Sequence, residues 1–273
     1  MRGITIGQVV LVGAGNMGGA MLSGWLKNGV PGASVTVIDP GPSDAMQTMI
    51  AEAGSLSVPV PPAGLVADVL FLAIKPQMMA DVLPVLKSLV GPSTVVVSVA
   101  AGTTLAAMRE HLGDAGMVRA MPNTPAMVGR GITGAYANDR VSDDQRDLVD
   151  RLLKVSGPVE WVNSEADINA VTAVSGSGPA YVFYLVECMA EAGRKAGLQA
   201  DLAMRLARET VAGAGELLHQ SRDDASRLRQ NVTSPGGTTA AALSVLMDPQ
   251  SGLQPVFDQA IEAARQRAEE LAK

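Results

Sequence analysis

Two hydrophobic patterns divide the chain. Up to about residue 162, short apolar, β-branched runs alternate with stretches of helical character, and beyond about Glu165 only helical patterns continue. Residues 8–12, 35–38, 68–74 and 95–99 predict strands, and 117–120 and 134–137 predict two shorter ones. The runs at 68–74 and 95–99 are apolar at nearly every position, as in strands buried on both faces. Residues 18–28 predict a helix closed by Gly29, and another begins near Thr104. This alternation predicts a parallel sheet covered by helices on both sides.

In the second part, residues 179–196, 201–220, 239–247 and 255–273 predict helices. On the first of these, Glu187, Glu191, Arg194 and Lys195 share one face, while Ala180, Val182, Phe183, Val186, Met189 and Ala190 cover most of the rest. A helix apolar around so much of its circumference is buried, either centrally or against another subunit. About 110 residues of this character suggest a dimerisation domain, with a monomeric bundle as the alternative.

Composition narrows the chemistry. Of 273 residues, 47% are hydrophobic and 18% charged, and the net charge of −6 with a pI near 5.0 argues against nucleic acid or an anionic membrane as the main partner. No uninterrupted apolar segment reaches the ~18 residues of a membrane span. The stretch after Arg2 carries no cleavage pattern, so no signal peptide is expected and a cytoplasmic location is. The single cysteine, Cys188, excludes an intramolecular disulfide and a zinc–thiolate cluster, and its apolar context predicts a buried structural thiol. His111 and His219, in ordinary helical contexts, leave little for a Ser-His-Asp triad or a metal site.

The first strand runs through Val12 directly into Gly13-Ala14-Gly15-Asn16-Met17-Gly18, which opens the first helix. GxGxxG is a weak pattern alone, and this strand-to-helix position makes it a dinucleotide fingerprint rather than a structural turn. Helix N-terminal amides there suit the phosphates. The second strand ends at Asp39, where a carboxylate hydrogen-bonds ribose hydroxyls and repels a 2′-phosphate. No Lys or Arg lies in residues 40–51, so the local chemistry leans towards NADH and leaves NADPH open if Asp39 turns away. Ala73-Ile74-Lys75-Pro76 and Ala100-Ala101 follow later strands, where open α/β sheets bind ligands. The expected fold is therefore α/β, a Rossmann-type doubly wound sheet over residues 1–162 followed by an all-helical dimerisation and substrate-binding domain over 163–273.

Three further turns add hydroxyls and free amides. They are Met121-Pro122-Asn123-Thr124-Pro125, the run from Val174 through Ser175, Gly176, Ser177, Gly178 and Pro179 to Tyr181, and Ser234-Pro235-Gly236-Gly237-Thr238-Thr239. The last feeds an alanine-rich helix and can seat a small carboxylate, although a helix cap alone would explain it. Few acid–base groups accompany these turns. That inventory suits hydride transfer, in which a nicotinamide does the chemistry and the protein orients a small anion.

With these residues in place, the chain resembles the pyrroline-5-carboxylate reductase family almost end to end, through 13–18, 73–76, 100–103, 121–125, 175–181 and 231–239. The resemblance implies NADPH- or NADH-dependent reduction of 1-pyrroline-5-carboxylate to L-proline by a homodimer of interlocked helical domains, with a decamer of dimers as a larger assembly. It implies that Thr239 hydrogen-bonds the ring nitrogen as the catalytic group. Ser234, Gly237 and Thr238 would bind the carboxylate, Ser177 and Gly178 would line the ring, and Asn231 would stand beside the turn. Val12, Gly13–Gly18, Ala73–Pro76 and Ala100–Ala101 match the family's cofactor contacts. Asp39 departs from the small or hydroxyl-bearing residue often found there, and residues 58–66 lack the Asn that some relatives bring to the adenosine side.

Two other readings stand beside this one. A β-hydroxyacid-type dehydrogenase would need a catalytic lysine on a long helix, and Lys195 follows Glu191 and Arg194 on a polar face that suits solvent. A dinucleotide-sensing protein would keep the glycine loop without needing Ser177, Ser234 and Thr239 together.

Overall fold

The computed structural model describes residues 6–272; Arg2 and Lys273, which enter the expectations above, lie outside the described residues. The described residues form two compact units, one running to Gly176 and including the segment from Ala264, the other spanning Ser177–Ala263.

In the first unit eight strands form a single sheet: β1 (Val9–Val12), β2 (Val35–Ile38), β3 (Leu56–Val58), β4 (Ala67–Leu72), β5 (Val90–Ser98), β6 (Gly116–Met121), β7 (Thr133–Ala137) and β8 (Val159–Trp161). Their order is 3-2-1-4-5-6-7-8, with β1 between β2 and β4. Helices α1 (Asn16–Lys27), α2 (Asp44–Glu52), α3 (Met79–Leu86), α4 (Leu105–Leu112), α5 (Asp143–Leu153) and α6 (Asp167–Val171) belong to this unit. Strands β1 to β6 are parallel, as expected, but β7 pairs antiparallel with β6 and β8 runs alongside β7. The reversal has a cause in the connection. Residues 122–132 hold only a short 3-10 turn rather than the longer crossover that returns a parallel strand.

Side chains alternate across the sheet as strand geometry requires. Val9, Leu11, Val35, Val37, Phe71 and Val97 join Leu22 and Trp25 of α1 and Val149 and Leu152 of α5 in one cluster. Val10, Val12, Leu70, Leu72 and Val96 join Leu83 and Leu86 of α3 and Met108 and Leu112 of α4 in the other. Trp25 anchors the first cluster, lying edge-on to Phe71 with ring centroids 5.1 Å apart and donating its indole N–H to the Leu152 carbonyl at 2.8 Å. Both sheet faces are thus sealed, which explains why these strands read as continuous apolar runs.

The second unit contains α7 (Gly178–Lys195), α8 (Ala200–Gln220), α9 (Ala225–Asn231), α10 (Thr238–Leu246) and the first part of α11 (Leu253–Leu271). Gly193 of α7 lies against Ala203 of α8, and Tyr181 meets Phe257 edge to face at 6.3 Å. Little else is sealed. Central burial of α7 is not found: Phe183 is 62% and Tyr184 66% exposed, and Ala190 is the helix's buried residue. The Cys188 expectation is corrected for the same reason, since the thiol stands exposed on that open face. Among the described residues no helix is long and apolar enough to cross a membrane.

Candidate active site

In the first unit, the carboxyl ends of the parallel strands gather the predicted nucleotide residues on one edge. β1 delivers the glycine loop, β2 ends at Asp39, β4 leads to Ala73–Pro76 and β5 to Ala100 and Ala101. The order reverses at β1, so the crevice beyond β1 and β4 is the topological switch point where such sheets take ligands. Backbone hydrogen bonds join these loops: Gly13 N–H to the Ile38 carbonyl at 2.9 Å, Ala73 N–H to Val12 at 2.8 Å and Val99 N–H to Leu72 at 3.0 Å.

The loop's glycines answer separate demands. Gly13 has φ +89°, and a Cβ there would run into the Ala73 carbonyl and Ile74. A Cβ at Gly18 would overlap the Gly13 carbonyl, so helix and loop approach this closely only without one. At Gly15 a Cβ would meet open space, which leaves room for a ligand against the backbone. Helix α1 begins at Asn16, two residues before the expected start, with Gly15 as an N-cap that offers no side-chain hydrogen bond. Its first-turn amides therefore remain available to an anion. These features fit a dinucleotide pyrophosphate.

Asp39 does more than its sequence position foretells. One carboxylate oxygen accepts the Ala14 N–H at 2.7 Å and the other accepts the Gly41 N–H at 2.8 Å. The carboxylate thus ties the glycine loop to the end of β2. Beside it lies a cavity of about 480 Å³ bordered by Pro40, Gln47, Ser55, Ser57 and Pro59. Lys75 is exposed at the start of a short 3-10 turn.

In the second unit the hydroxyl-rich turn precedes α10. Gly236 has φ +71°, Gly237 N–H closes the turn onto the Ser234 carbonyl at 3.1 Å, and the Ser234 hydroxyl folds over Gly237 where a Cβ would collide. Gly237 is the N-cap of α10 and supplies no side-chain hydrogen bond, so the first amides of this helix also stay free. Thr238 and Thr239 are its first residues. Ser177 and Gly178 begin α7 with Pro179 in the first turn, and Asn231 is the last residue of α9. Lys195 is exposed and pairs with Glu191 at 3.7 Å, as expected of a solvent-facing lysine.

A buried charge in the first unit escaped sequence reasoning. Arg119 on β6 is 3% exposed, and its guanidinium reaches Asn169 of α6 at 3.2 Å and Glu165 at 3.4 Å. Glu165 also accepts the first amide of α4, from Leu105, at 2.8 Å. Burial pushes the Arg119 pKa down and Glu165 opposes that shift. A π-helical turn, Thr172–Gly176, follows α6, with the Ser175 hydroxyl bonded to the Val171 carbonyl. Such turns occur frequently at functional sites. A charged residue between Val118 and Ala120 in an apolar strand was the available signal.

A doubly wound sheet with such a glycine loop at its switch point defines a dinucleotide-binding protein. Comparison with known proteins sharpens that class. Residues 165–271 match the family described as pyrroline-5-carboxylate reductase dimerisation, and residues 8–102 match NADP oxidoreductase coenzyme F420-dependent. A pyrroline-5-carboxylate reductase of Pseudomonas aeruginosa is 40% identical, covering 97% of each chain. The solved structure of a Coxiella burnetii pyrroline-5-carboxylate reductase superposes with a TM-score of 0.90 at 36% identity, covering 98% of this chain and 100% of that one. A Plasmodium falciparum pyrroline carboxylate reductase with NADP bound matches at a TM-score of 0.80 and 26% identity, covering 97% and 98%. The chain belongs to the pyrroline-5-carboxylate reductase family.

Proposed function

We propose that the protein reduces 1-pyrroline-5-carboxylate to L-proline with NADH or NADPH, the last step of proline biosynthesis. The observation that carries this reading is the presence, in one chain of this family, of a free glycine loop at a sheet switch point and an uncapped α10 N-terminus bearing Ser234, Thr238 and Thr239. The division of labour assigns the nucleotide to residues 1–162, and substrate and dimerisation to 163–273.

Reduced nicotinamide, when bound, supplies the hydride that the imine carbon accepts. The first-turn amides of α1, left uncapped by Gly15, hold the pyrophosphate, and Val12, Ala73–Pro76, Ala100 and Ala101 orient the remainder. Substrate carboxylate is held by the Ser234 hydroxyl and the amides of Gly237 and Thr238, favoured by the positive end of α10. Ser177 and Gly178 flank the ring, with Asn231 beside the turn. Thr239 fixes the ring nitrogen through its hydroxyl. A protonated imine is the better electrophile, so the hydroxyl or a neighbouring water passes a proton to the nitrogen. An unassisted threonine is a poor acid, so orientation supplies most of the acceleration, about 7–11 kcal/mol in favourable cases.

Thr239→Ala is expected to lower kcat on the order of 100-fold, the scale for loss of one positioned hydrogen-bonding group, with dinucleotide affinity preserved. Following nicotinamide absorbance with 1-pyrroline-5-carboxylate checks this, and unchanged turnover removes Thr239 from its role. The open apolar face of α7 and the match to a dimerisation family support a homodimer, from which a decamer of dimers would be the larger assembly. A cytoplasmic location is proposed on the single free thiol, which suits a reducing compartment.

A further inference from the structure

We propose that this reductase selects NADH over NADPH and that Asp39, locked in place by the backbone, makes the selection. The proposal rests on the dinucleotide-dependent reading above and deepens it. Relatives named for NADP do not decide the matter, because the discriminating atoms lie in this chain's own β2 loop.

A carboxylate at the end of β2 can accept hydrogen bonds from the adenosine ribose hydroxyls. It excludes a 2′-phosphate only if it cannot move aside. Asp39 is held from both ends: Ala14 N–H occupies one oxygen at 2.7 Å and Gly41 N–H the other at 2.8 Å. Each oxygen has about two acceptor sites, so one remains on each for a hydroxyl donor. A 2′-phosphate offers only acceptor oxygens and negative charge, and it meets that same pair of oxygens. Swinging Asp39 away would strip the part-buried Ala14 N–H, within the pyrophosphate loop, of its partner, whereas the exposed Gly41 N–H would turn to water.

Among the described residues no Lys or Arg borders the cavity beside Asp39. No Lys or Arg occurs between Lys27 and Lys75, while Asp39, Asp44, Glu52 and Asp68 all fall in that interval. The cavity beside Asp39, about 480 Å³, lies within the ~300–1,000 Å³ range of small-molecule sites. Its border is neutral apart from Asp39 itself. Ser55 borders it too, and the Ser55 hydroxyl is buried without a hydrogen-bond partner. These groups suit a nucleoside with free hydroxyls and provide no cation for a phosphomonoester.

Calorimetric titration with ADP-ribose and its 2′-phosphorylated counterpart tests this without any turnover. At least tenfold tighter binding of ADP-ribose is expected, with the same order in kcat/KM for NADH against NADPH. Equal or tighter binding of the phosphorylated ligand overturns the proposal. Asp39→Asn should narrow the gap at least tenfold, and an unchanged gap removes Asp39 as its cause. Because that variant also loosens the glycine loop, Pro40→Arg serves as a second probe, adding a cation while sparing the clamp. It should improve binding of the phosphorylated ligand relative to ADP-ribose at least fivefold; an unchanged ratio counts against the proposal. Failure to oxidise either cofactor with 1-pyrroline-5-carboxylate would sink the reductase reading while the binding ratio still answered this one.

Discussion

The sheet-bearing unit and the helical unit are written in similarly apolar sequence, yet they dispose of it in opposite ways. In the first, Val9, Leu11, Trp25, Phe71 and Val97 are wholly inaccessible, and two clusters seal both faces of one sheet. In the second, the buried apolar residues are Ala190, Ala203 and Ala207, whereas Phe183, Tyr184, Leu206, Leu217 and Leu218 stand open. An exposed face of this extent marks an interaction site. The first unit is stabilised by its own side chains, while the second leaves its large side chains for another copy, so that its stability depends on concentration.

The largest effect expected to test that contrast is at Trp25. Trp25→Ala removes the anchor between α1, α5 and β4 together with its bond to Leu152, and should destabilise the sheet unit by about 3–5 kcal/mol. Thermal denaturation measures the loss, which should not vary with protein concentration. Phe183→Ala is the matching change in the helical unit. In dilute protein it should alter chain stability by less than about 0.5 kcal/mol, as exposed substitutions do. In the assembled protein it should weaken self-association by about 2 kcal/mol, or roughly 30-fold, the scale of an aromatic hot spot. Sedimentation across a dilution series reads that shift. Equal effects of Phe183→Ala at high and low concentration would erase the distinction between the units.

The same contrast explains what the sequence could disclose. Central strands were legible because residues 9–12 of β1, 69–72 of β4 and 95–97 of β5 are buried on both faces and apolar throughout. β3 and β8, three residues each and partly exposed, left no such trace, and neither did the direction of β7. Helix α3 contains Pro84, α2 buries Ile50 alone, and the largely charged α5 buries Val149, Leu152 and Leu153 near its end, so their patterns did not stand out. At the site, Gly13–Gly18 and Ser234–Thr239 were legible because turns require particular residues there. The clamp on Asp39 was not, since it depends on the amides of Ala14 and Gly41 converging in space. Cys188 and its neighbours were read as buried because apolarity reports what a face avoids, not which chain covers it.

Charge follows the same division and supplies the smallest test. The sheet unit buries Arg119 against Glu165 and Asn169, whereas the helical unit keeps its ion pairs in water. On α7, hydrogen bonds from Arg194 hold the Glu191 carboxyl down from 4.5 to about 2, with Lys195 adding a weaker pull. A carboxyl lowered on folding contributes stability that is fully present above its unfolded value of about 4.5. That contribution falls away as pH drops through about 2. Glu191 is solvent-exposed, so salt screens the pair and little of the shift becomes stability. Glu191→Gln should therefore match the parent protein at neutral pH in high salt. In low salt a slight deficit should appear at neutral pH, shrink from pH 4.5 downwards and vanish near pH 2, as followed by helical circular dichroism. A deficit that persisted in high salt at neutral pH would mean that this pair is buried in the assembly, and α7 would then owe part of its stability to a covered ion pair rather than to its apolar face alone.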